Sequence, residues 1–275
     1  GLHQVYLGLC WSPFKGFAIG VNAAYLWGDY SRSVINSYTD AYANTLSKYY
    51  TAEVHNYKLD FGMQYTQKIT KNDAITLGVT YGLGHKLSSD PKCQIISTNA
   101  QTAVADTATY SIGNGLELPH SYGVGLMWNH ANRWRVGADY TLQKWSSVAY
   151  PKFDTSTNSY ELVSGQFADR HKMTVGGEFC PDERSRSFFK RVHYRMGASY
   201  ATDYLKIKGQ NGPKEYSVSA GFGIPIVNGY NNRSLLNISA QWVRQDSKTF
   251  VTENSFRINI GLTFNERWFA KWKME

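Results

Sequence analysis

The sequence predicts an all-β protein, a transmembrane antiparallel up-and-down β-barrel of which about 11 strands are visible. Three observations predict this fold. Apolar and polar residues alternate one by one along many segments. These segments are roughly 10–14 residues long, whereas strands of soluble proteins average about 5–6. The connections between them alternate between short and long, as they do in outer-membrane barrels.

The alternation is clearest in the segment Phe17–Trp27, where Phe17, Ile19 and Val21 fall on one face of a strand and Ala18, Gly20 and Asn22 on the other. The pattern recurs about every 20–25 residues to the end of the chain. The predicted strands are 2–10, 17–28, 54–68, 74–85, 116–128, 133–146, 168–180, 190–204, 215–226, 233–245 and 255–265.

The connection lengths orient the predicted barrel, because outer-membrane barrels have short periplasmic turns and long extracellular loops. They fit if the last strand descends to the periplasm, although the turn near Pro181–Phe189 is longer than the other short ones. The short connections include Trp11–Gly16, Ile69–Asp73 and Asn129–Asn132, and the longest are Asp29–Glu53, Lys86–Gly115 and Ser147–Phe167. The connections 205–214 and 246–254 are short for external loops.

Strand parity predicts a further segment upstream of Gly1. With about 11 strands, the first and the last both descend, whereas bacterial single-chain barrels have even strand numbers. We therefore expect at least one ascending strand before Gly1. The predicted domains are a barrel over 1–265 and a short amphipathic tail over 266–275, in which Trp268, Phe269 and Trp272 lie at the periplasmic interface.

The composition agrees with a barrel. The mean hydropathy of −0.43 would suit a soluble protein, but only every second residue of a barrel strand faces lipid. Aromatic residues make up 15%, which suits two interfacial belts. The net charge of +8 comes from scattered single residues, which argues against nucleic acid and fits lipid and lipopolysaccharide of the outer membrane as partners. The three cysteines are too far apart to form a disulfide framework.

The polar face of the strands is predicted to line the lumen. It carries charges of both signs, which we expect to be paired or hydrated. It also carries many glycines, which favour curvature of the sheet but would equally leave room for a plug or a bulky neighbour. The candidate lumen-lining residues are Lys58, Asp60, Arg135, Asp139, Lys172, Glu178, Arg195 and Arg257.

No chemistry of an enzyme is evident. A serine–histidine pair such as His120–Ser121 could serve an outer-membrane phospholipase, but the histidines are dispersed and no catalytic motif surrounds them. No metal-ligand spacing and no phosphate-binding loop is present. The sequence therefore predicts a non-enzymatic protein without cofactor or metal.

Two segments resemble a known family. The opening Val5–Gly8 and Pro13–Gly28 and the closing Phe256–Lys273 are similar to the barrel of the FadL-type outer-membrane transporters of hydrophobic compounds. The resemblance implies a 14-stranded barrel plugged by an N-terminal hatch, with uptake of long-chain fatty acids or other hydrophobic molecules. The family's hatch has no counterpart in the chain. The segments 29–53 and 86–115 are then candidates for external capture, although the second is polar and rich in Thr and Ala.

Three functions follow as hypotheses for this protein of the Gram-negative outer membrane. The first is passive transport of small hydrophobic molecules, with a hydrophobic ligand or detergent in the lumen. The second is a structural or assembly role beside other outer-membrane proteins, motivated by the basic and aromatic tail. The third is a general diffusion porin, motivated by the mixed charges of the lumen.

Overall fold

The computed structural model describes residues 1–40, 42–154, 156–207, 209–227, 233–247 and 251–263. One antiparallel sheet dominates these residues, and eleven of its strands follow one another as an up-and-down meander. Those eleven are β1 (Leu2–Phe14), β2 (Phe17–Asn36), β3 (Thr45–Lys68), β4 (Asp73–Gly82), β9 (Ser121–His130), β10 (Trp134–Gln143), β13 (Arg170–Phe179), β14 (His193–Ala201), β17 (Lys214–Val227), β18 (Arg233–Asp246) and β19 (Glu253–Thr263).

The remaining elements lie in the connections. They are β5 (His85–Leu87), β6 (Lys92–Thr98), β7 (Ala105–Ser111), β8 (Leu116–Leu118), a 3-10 turn (Trp145–Ser147), β11 (Tyr150–Asp154), β12 (Ser159–Val163), the helix α1 (Phe188–Arg191), β15 (Lys206–Ile207) and β16 (Gln210–Asn211). None of the helices in the described part of the chain is long and apolar enough to cross a membrane.

The prediction of an all-β up-and-down fold is confirmed, and each of the eleven predicted strands has an observed counterpart. Successive strands pair in register, with one irregularity between Trp11 and Phe14. In the described residues, β1 and β19 each pair on one side only. Since ten antiparallel pairings separate them, β1 and β19 run in the same direction. Both run from the end of the sheet that carries the long connections, the long-loop end, to the opposite short-turn end.

The predicted long loop 29–53 is wrong in its secondary structure. β2 and β3 extend through most of it as a hairpin, paired from Phe17 with Tyr65 to Asn36 with Leu46. The extension was missed because its residues are mainly Ser, Thr, Tyr and charged residues, without an apolar stripe. Tyr and Thr nevertheless favour strands, and pairing needs no apolar face outside a membrane.

The other two long connections are also more ordered than predicted. Within 86–115, β6 pairs with residues Thr45–Thr51 of β3, and β7 pairs with β6. Within 147–167, β11 and β12 form a hairpin. At the short-turn end, the connection Pro181–Phe189 leads into α1, which the sequence did not predict.

Among the described residues, the buried large apolar side chains lie toward the two ends of the sheet. Val54, Cys93 and Phe167 are buried at the long-loop end, and Cys180 and Val192 at the short-turn end. Along the middle, large apolar side chains are exposed on one face of every strand; Ile260, for example, is 74% exposed. A soluble protein rarely exposes a contiguous apolar surface of this extent. This face is therefore built to contact lipid.

Gly84 lies two residues after β4, where the chain enters the connections of the long-loop end. A Cβ at this position would lie 2.7 Å from the carbonyl carbon of Pro119 and 2.8 Å from the oxygen of Leu118, and both are backbone atoms that cannot move aside cheaply. At Gly78, in the middle of β4, the nearest atom would be 4.0 Å away.

We expect Gly84→Ala to destabilise the protein by roughly 1–3 kcal/mol through overpacking. Gly78→Ala should change stability by less than about 1 kcal/mol, because no clash opposes the loss of chain entropy in the unfolded state. Urea unfolding of the purified protein, followed by tryptophan fluorescence, measures both. Equal midpoints for the two variants would contradict this account of Gly84.

Candidate functional site

The register of the sheet assigns each residue to one of two faces. Val79, Val124, Tyr140 and Met173 are successive partners across β4, β9, β10 and β13 and lie on the apolar face. The next row on these strands is Gly78, Gly125, Asp139 and Thr174, which lies on the opposite face. The same division holds along the whole meander, so one face is apolar and the other is polar and rich in glycine.

Aromatic residues bound the apolar face at both ends, as in outer-membrane barrels. Several have their polar groups satisfied: the Tyr81 hydroxyl is 2.9 Å from Nδ1 of His120, and Trp128 donates its indole N–H to Asp73. The belt at the long-loop end consists of Tyr25, Tyr57, Tyr81, Tyr122, Tyr140, Tyr200 and Tyr216. The belt at the short-turn end consists of Tyr65, Trp128, Trp134, Phe179, Tyr194 and Phe222.

On the polar face, glycines provide the space in which neighbouring polar side chains lie against the sheet. A Cβ at Gly8 would meet the amide oxygen of Asn22 at 2.5 Å. A Cβ at Gly125 would meet a carboxylate oxygen of Asp139, and one at Gly123 would meet the Thr80 hydroxyl. The sequence left open whether the glycines allow curvature of the sheet, a plug or a neighbouring side chain. At these positions they make room for a neighbouring side chain. At Gly62 a Cβ would meet no clash and would make an ordinary van der Waals contact with the Thr80 methyl group at 3.9 Å.

The polar face borders a cavity of about 590 Å³ along β1 to β4 and the start of β9, with Asn22, Gln64, Thr80 and Ser121 among its lining residues. Asp60 also lines it and accepts a hydrogen bond from the Lys58 ammonium. The volume lies within the range of small-molecule sites. Among the polar lining residues, the sequence predicted that Asp60 faces the lumen and placed Asn22 on the same face of the sheet, whereas Gln64, Thr80 and Ser121 were not among the candidate residues.

A second polar cluster surrounds Glu178 near the short-turn end. Arg135 donates to one carboxylate oxygen at 3.0 Å, and Arg195 donates to the other at 2.6 Å. Nδ1 of His193 is 3.2 Å from the first oxygen, and Arg195 also donates to Asn237 at 2.6 Å. The side chains of Glu178 and His193 are only 18% and 10% exposed. The cluster joins β10, β13, β14 and β18 by charged hydrogen bonds.

The sheet places all eight candidate lumen-lining residues on the polar face. It brings them together in two groups, Lys58 with Asp60 and Arg135 with Glu178 and Arg195. Asp139, Lys172 and Arg257 belong to neither group. That these residues line a transport lumen stays a prediction.

The predicted tail residues Trp268, Phe269 and Trp272 lie outside the described residues. In the part of the chain that the structure describes, no group of three His, Cys, Asp or Glu side chains could hold a metal ion.

An ion pair joins the two ends of the connection 144–169 at the long-loop end. The Lys144 ammonium donates to Asp169 at 2.6 Å, and the Ser146 backbone N–H donates to the other carboxylate oxygen at 3.0 Å. Burial disfavours the charged form of Asp169, but the hydrogen bonds from Lys144 and Ser146 outweigh it and lower its pKa to about 2. Beside this pair, Trp145 stacks on Tyr204 with ring centres 4.5 Å apart.

Comparison with known proteins identifies the family. The family model BamG matches residues 1–275. The chain belongs to the BamG family. No curated protein sequence matches this member of the BamG family.

Solved structures share the fold of this BamG-family chain. The CymD monoaromatic hydrocarbon channel has a TM-score of 0.69 at 12% identity, over 98% of this chain and 74% of the channel. The Ralstonia pickettii toluene transporter TbuX has a TM-score of 0.60 at 12% identity, over 97% and 68%. A Pseudomonas aeruginosa FadL homologue has a TM-score of 0.55 at 15% identity, over 89% of this chain and 60% of that protein.

The resemblance to FadL-type transporters is thus confirmed as a resemblance of fold. BamG is a distinct sequence family. The similar structures are described as channels and transporters and not as enzymes, which agrees with the prediction of a non-enzymatic protein.

We expect Glu178→Gln to destabilise this BamG-family protein by about 1–3 kcal/mol, because the substitution leaves Arg135 and Arg195 without their charged acceptor. Glu161→Gln, at an exposed position of the β11–β12 hairpin, is the matched control and should leave stability unchanged. Thermal unfolding of the two purified variants and the wild type measures the difference. A loss of stability no greater than that of the control would contradict the proposed role of Glu178.

The low pKa of Asp169 predicts that its ion pair with Lys144 stabilises the connection 144–169 in a pH-dependent manner. Because the folded pKa lies below the usual value near 3.9, the stabilisation is present above about pH 4 and is lost as the pH falls toward 2. Hydrogen exchange of peptides covering 144–169, measured by mass spectrometry, should show protection at pH 4 that decreases toward pH 2. In Asp169→Asn the protection should already be lower at pH 4, whereas Asp106→Asn should resemble the wild type.

Proposed function

We propose that the chain forms most of an outer-membrane barrel that passively transports small hydrophobic molecules across the outer membrane of a Gram-negative bacterium. The observation that carries this proposal is the two-faced sheet, whose exposed apolar face lies between two aromatic belts and whose polar face borders a cavity. The fold shared with hydrocarbon channels supports it, although a shared fold does not by itself fix a function.

The proposed orientation places the short-turn end in the periplasm and the long-loop end outside the cell. The apolar face then contacts outer-membrane lipid, and the aromatic belt at the long-loop end lies next to lipopolysaccharide. β1 and β19 run the same way and each pairs on one side only among the described residues. Their unpaired backbone groups would be costly in lipid. We infer that an odd number of additional strands closes the barrel in an antiparallel manner.

The long-loop end supplies the surface that a hydrophobic molecule would meet first. Trp145 and Tyr204 are half-buried there and pack around the buried ring of Phe167, with ring centres 4.5–6.0 Å apart. Aromatic side chains bind small apolar molecules through buried area and ring stacking. We therefore infer that the exposed parts of Trp145 and Tyr204 take the capture role. Monoaromatic hydrocarbons, which the similar channels are described as carrying, and long-chain fatty acids are the two ligand classes to compare.

A structural or assembly role beside other outer-membrane proteins is the second candidate. The observation that favours it is membership of BamG, a family distinct from the FadL-type transporters whose fold it shares. A diffusion porin stays a further prediction, and single-channel recording would detect its conductance.

Uptake measurements distinguish the first two functions. Deletion of the gene should reduce uptake of radiolabelled toluene or oleate, and the complete gene should restore it. Trp145→Ala should reduce uptake at low ligand concentration, because capture is weakened. Phe188→Ala, in the opposite end of the sheet, should leave uptake unchanged.

Unchanged uptake of both ligands after deletion would contradict the transport proposal. If a stoichiometric partner then co-purifies with the protein in mild detergent, the assembly role is supported instead.

A further inference from the structure

The ends of the sheet differ in charge. We define the short-turn end as residues 15–16, 68–73, 131–133 and 180–192. It carries eight cationic residues and three acidic ones, Asp73, Asp182 and Glu183. The long-loop end carries twelve acidic and seven cationic residues. This count covers the described parts of 29–53, 83–120, 144–169, 202–213 and 246–253. The cationic residues of the short-turn end are Lys15, Lys68, Lys71, Arg133, Arg184, Arg186, Lys190 and Arg191.

Half of these cations lie in one segment, the turn 180–192, which we call the foot. Its residues Arg184, Arg186 and Lys190 are exposed, and Arg191 is half-buried. The Asp182 carboxylate accepts the backbone N–H of Arg184. With only Asp182 and Glu183 as acidic residues, the foot keeps an excess of positive charge.

The foot also exposes two adjacent aromatic rings. Phe188 is 46% exposed and Phe189 is 73% exposed, and their rings pack edge to face with centres 5.5 Å apart. Exposing two phenylalanines at a turn costs hydration free energy unless something apolar covers them. Their position beside cationic residues is the arrangement found in segments that lie at a membrane interface.

The foot is held together by contacts of Cys180 and is joined to the sheet through Tyr194 of β14. The thiol of Cys180 is buried and lies 3.8 Å from the carbonyl oxygens of Lys190 and Arg191. The Tyr194 hydroxyl donates to the carbonyl oxygen of Phe189 at 3.1 Å. Tyr194 belongs to the aromatic belt of the apolar face and contacts Phe222. The backbone of Phe189 therefore lies beside the aromatic belt of the apolar face.

We propose that the foot is a binding site for anionic phospholipid in the periplasmic leaflet, a role separate from ligand transport. Phe188 and Phe189 enter the boundary of the acyl chains, and Arg184, Arg186, Lys190 and Arg191 contact the headgroup phosphates. Arginine binds phosphate by paired hydrogen bonds, and each cation near an anionic lipid surface adds to the attraction. The proposal rests on the membrane orientation given above but not on transport activity.

Native mass spectrometry of the complete protein, titrated with phosphatidylglycerol or phosphatidylethanolamine after delipidation, tests the proposal. The wild type should bind phosphatidylglycerol in preference to phosphatidylethanolamine. The variant Arg184→Gln, Arg186→Gln, Lys190→Gln, Arg191→Gln should bind phosphatidylglycerol at least about tenfold more weakly. Phe188→Ser with Phe189→Ser should weaken binding of both lipids, because the apolar contact is lost.

The matched control removes four exposed cations from the opposite end, through Lys86→Gln, Lys92→Gln, Lys152→Gln and Lys206→Gln. It should keep the phosphatidylglycerol preference of the wild type. Circular dichroism confirms that every variant retains its strands before lipid binding is compared.

Equal loss of binding in the control, or no loss in the foot variant, would overturn the proposal. It would also be overturned if the wild type shows no preference between the two lipids. An acidic protein that co-purifies with the wild type and not with the foot variant would then identify a protein as the partner of the foot. Uptake is measured on the same variants, so that failure of transport with intact lipid binding counts against the proposed function alone.

Discussion

The unbroken antiparallel pairing of eleven strands is the constraint on which the rest of the structure depends. Side chains alternate between faces with a period of two, so a shift of one residue in any pairing would exchange the faces of that strand. Asp60 and Ser121, both paired with Gly82, would then leave the row of polar and glycine residues and enter the apolar surface. The penalty for placing such groups in lipid is what makes the register specific.

The polar face shows how a sheet can carry charges without filling the space before it. Small residues opposite polar ones allow Asp139 and Asn22 to lie against glycines of the next strand. Charged groups that would be costly alone are paired, as Glu178 is with Arg135 and Arg195. The face is therefore polar, but it remains concave enough to border a cavity of about 590 Å³.

The two ends of the sheet have cores of their own, which distinguishes them from the middle. At the long-loop end, Val54, Cys93 and Phe167 are buried. At the short-turn end, Cys180 and Val192 hold a turn that exposes aromatic and cationic side chains. Burial of apolar side chains away from water thus stabilises the connections at the two ends, whereas lipid takes the place of a protein core along the strands. A channel fold with such ends can serve transport or attachment to other components, so membership of BamG leaves the function to experiment.

The sequence by itself determined the features that depend on local spacing. Alternation over Phe17–Trp27 and its repeats specified the strands, and it assigned residues such as Asp60 and Arg195 to a face, because period two is a property of each strand alone. Only the tertiary structure decided which charges meet, since Arg135, Glu178 and Arg195 lie on three strands and come together through register. It also decided that 29–53 is mostly a hairpin and that α1 follows Cys180. Those segments have no apolar stripe. The hairpin is ordered by cross-strand pairing, and α1 is held by contacts with Cys180 and Tyr194 that form only in the folded chain.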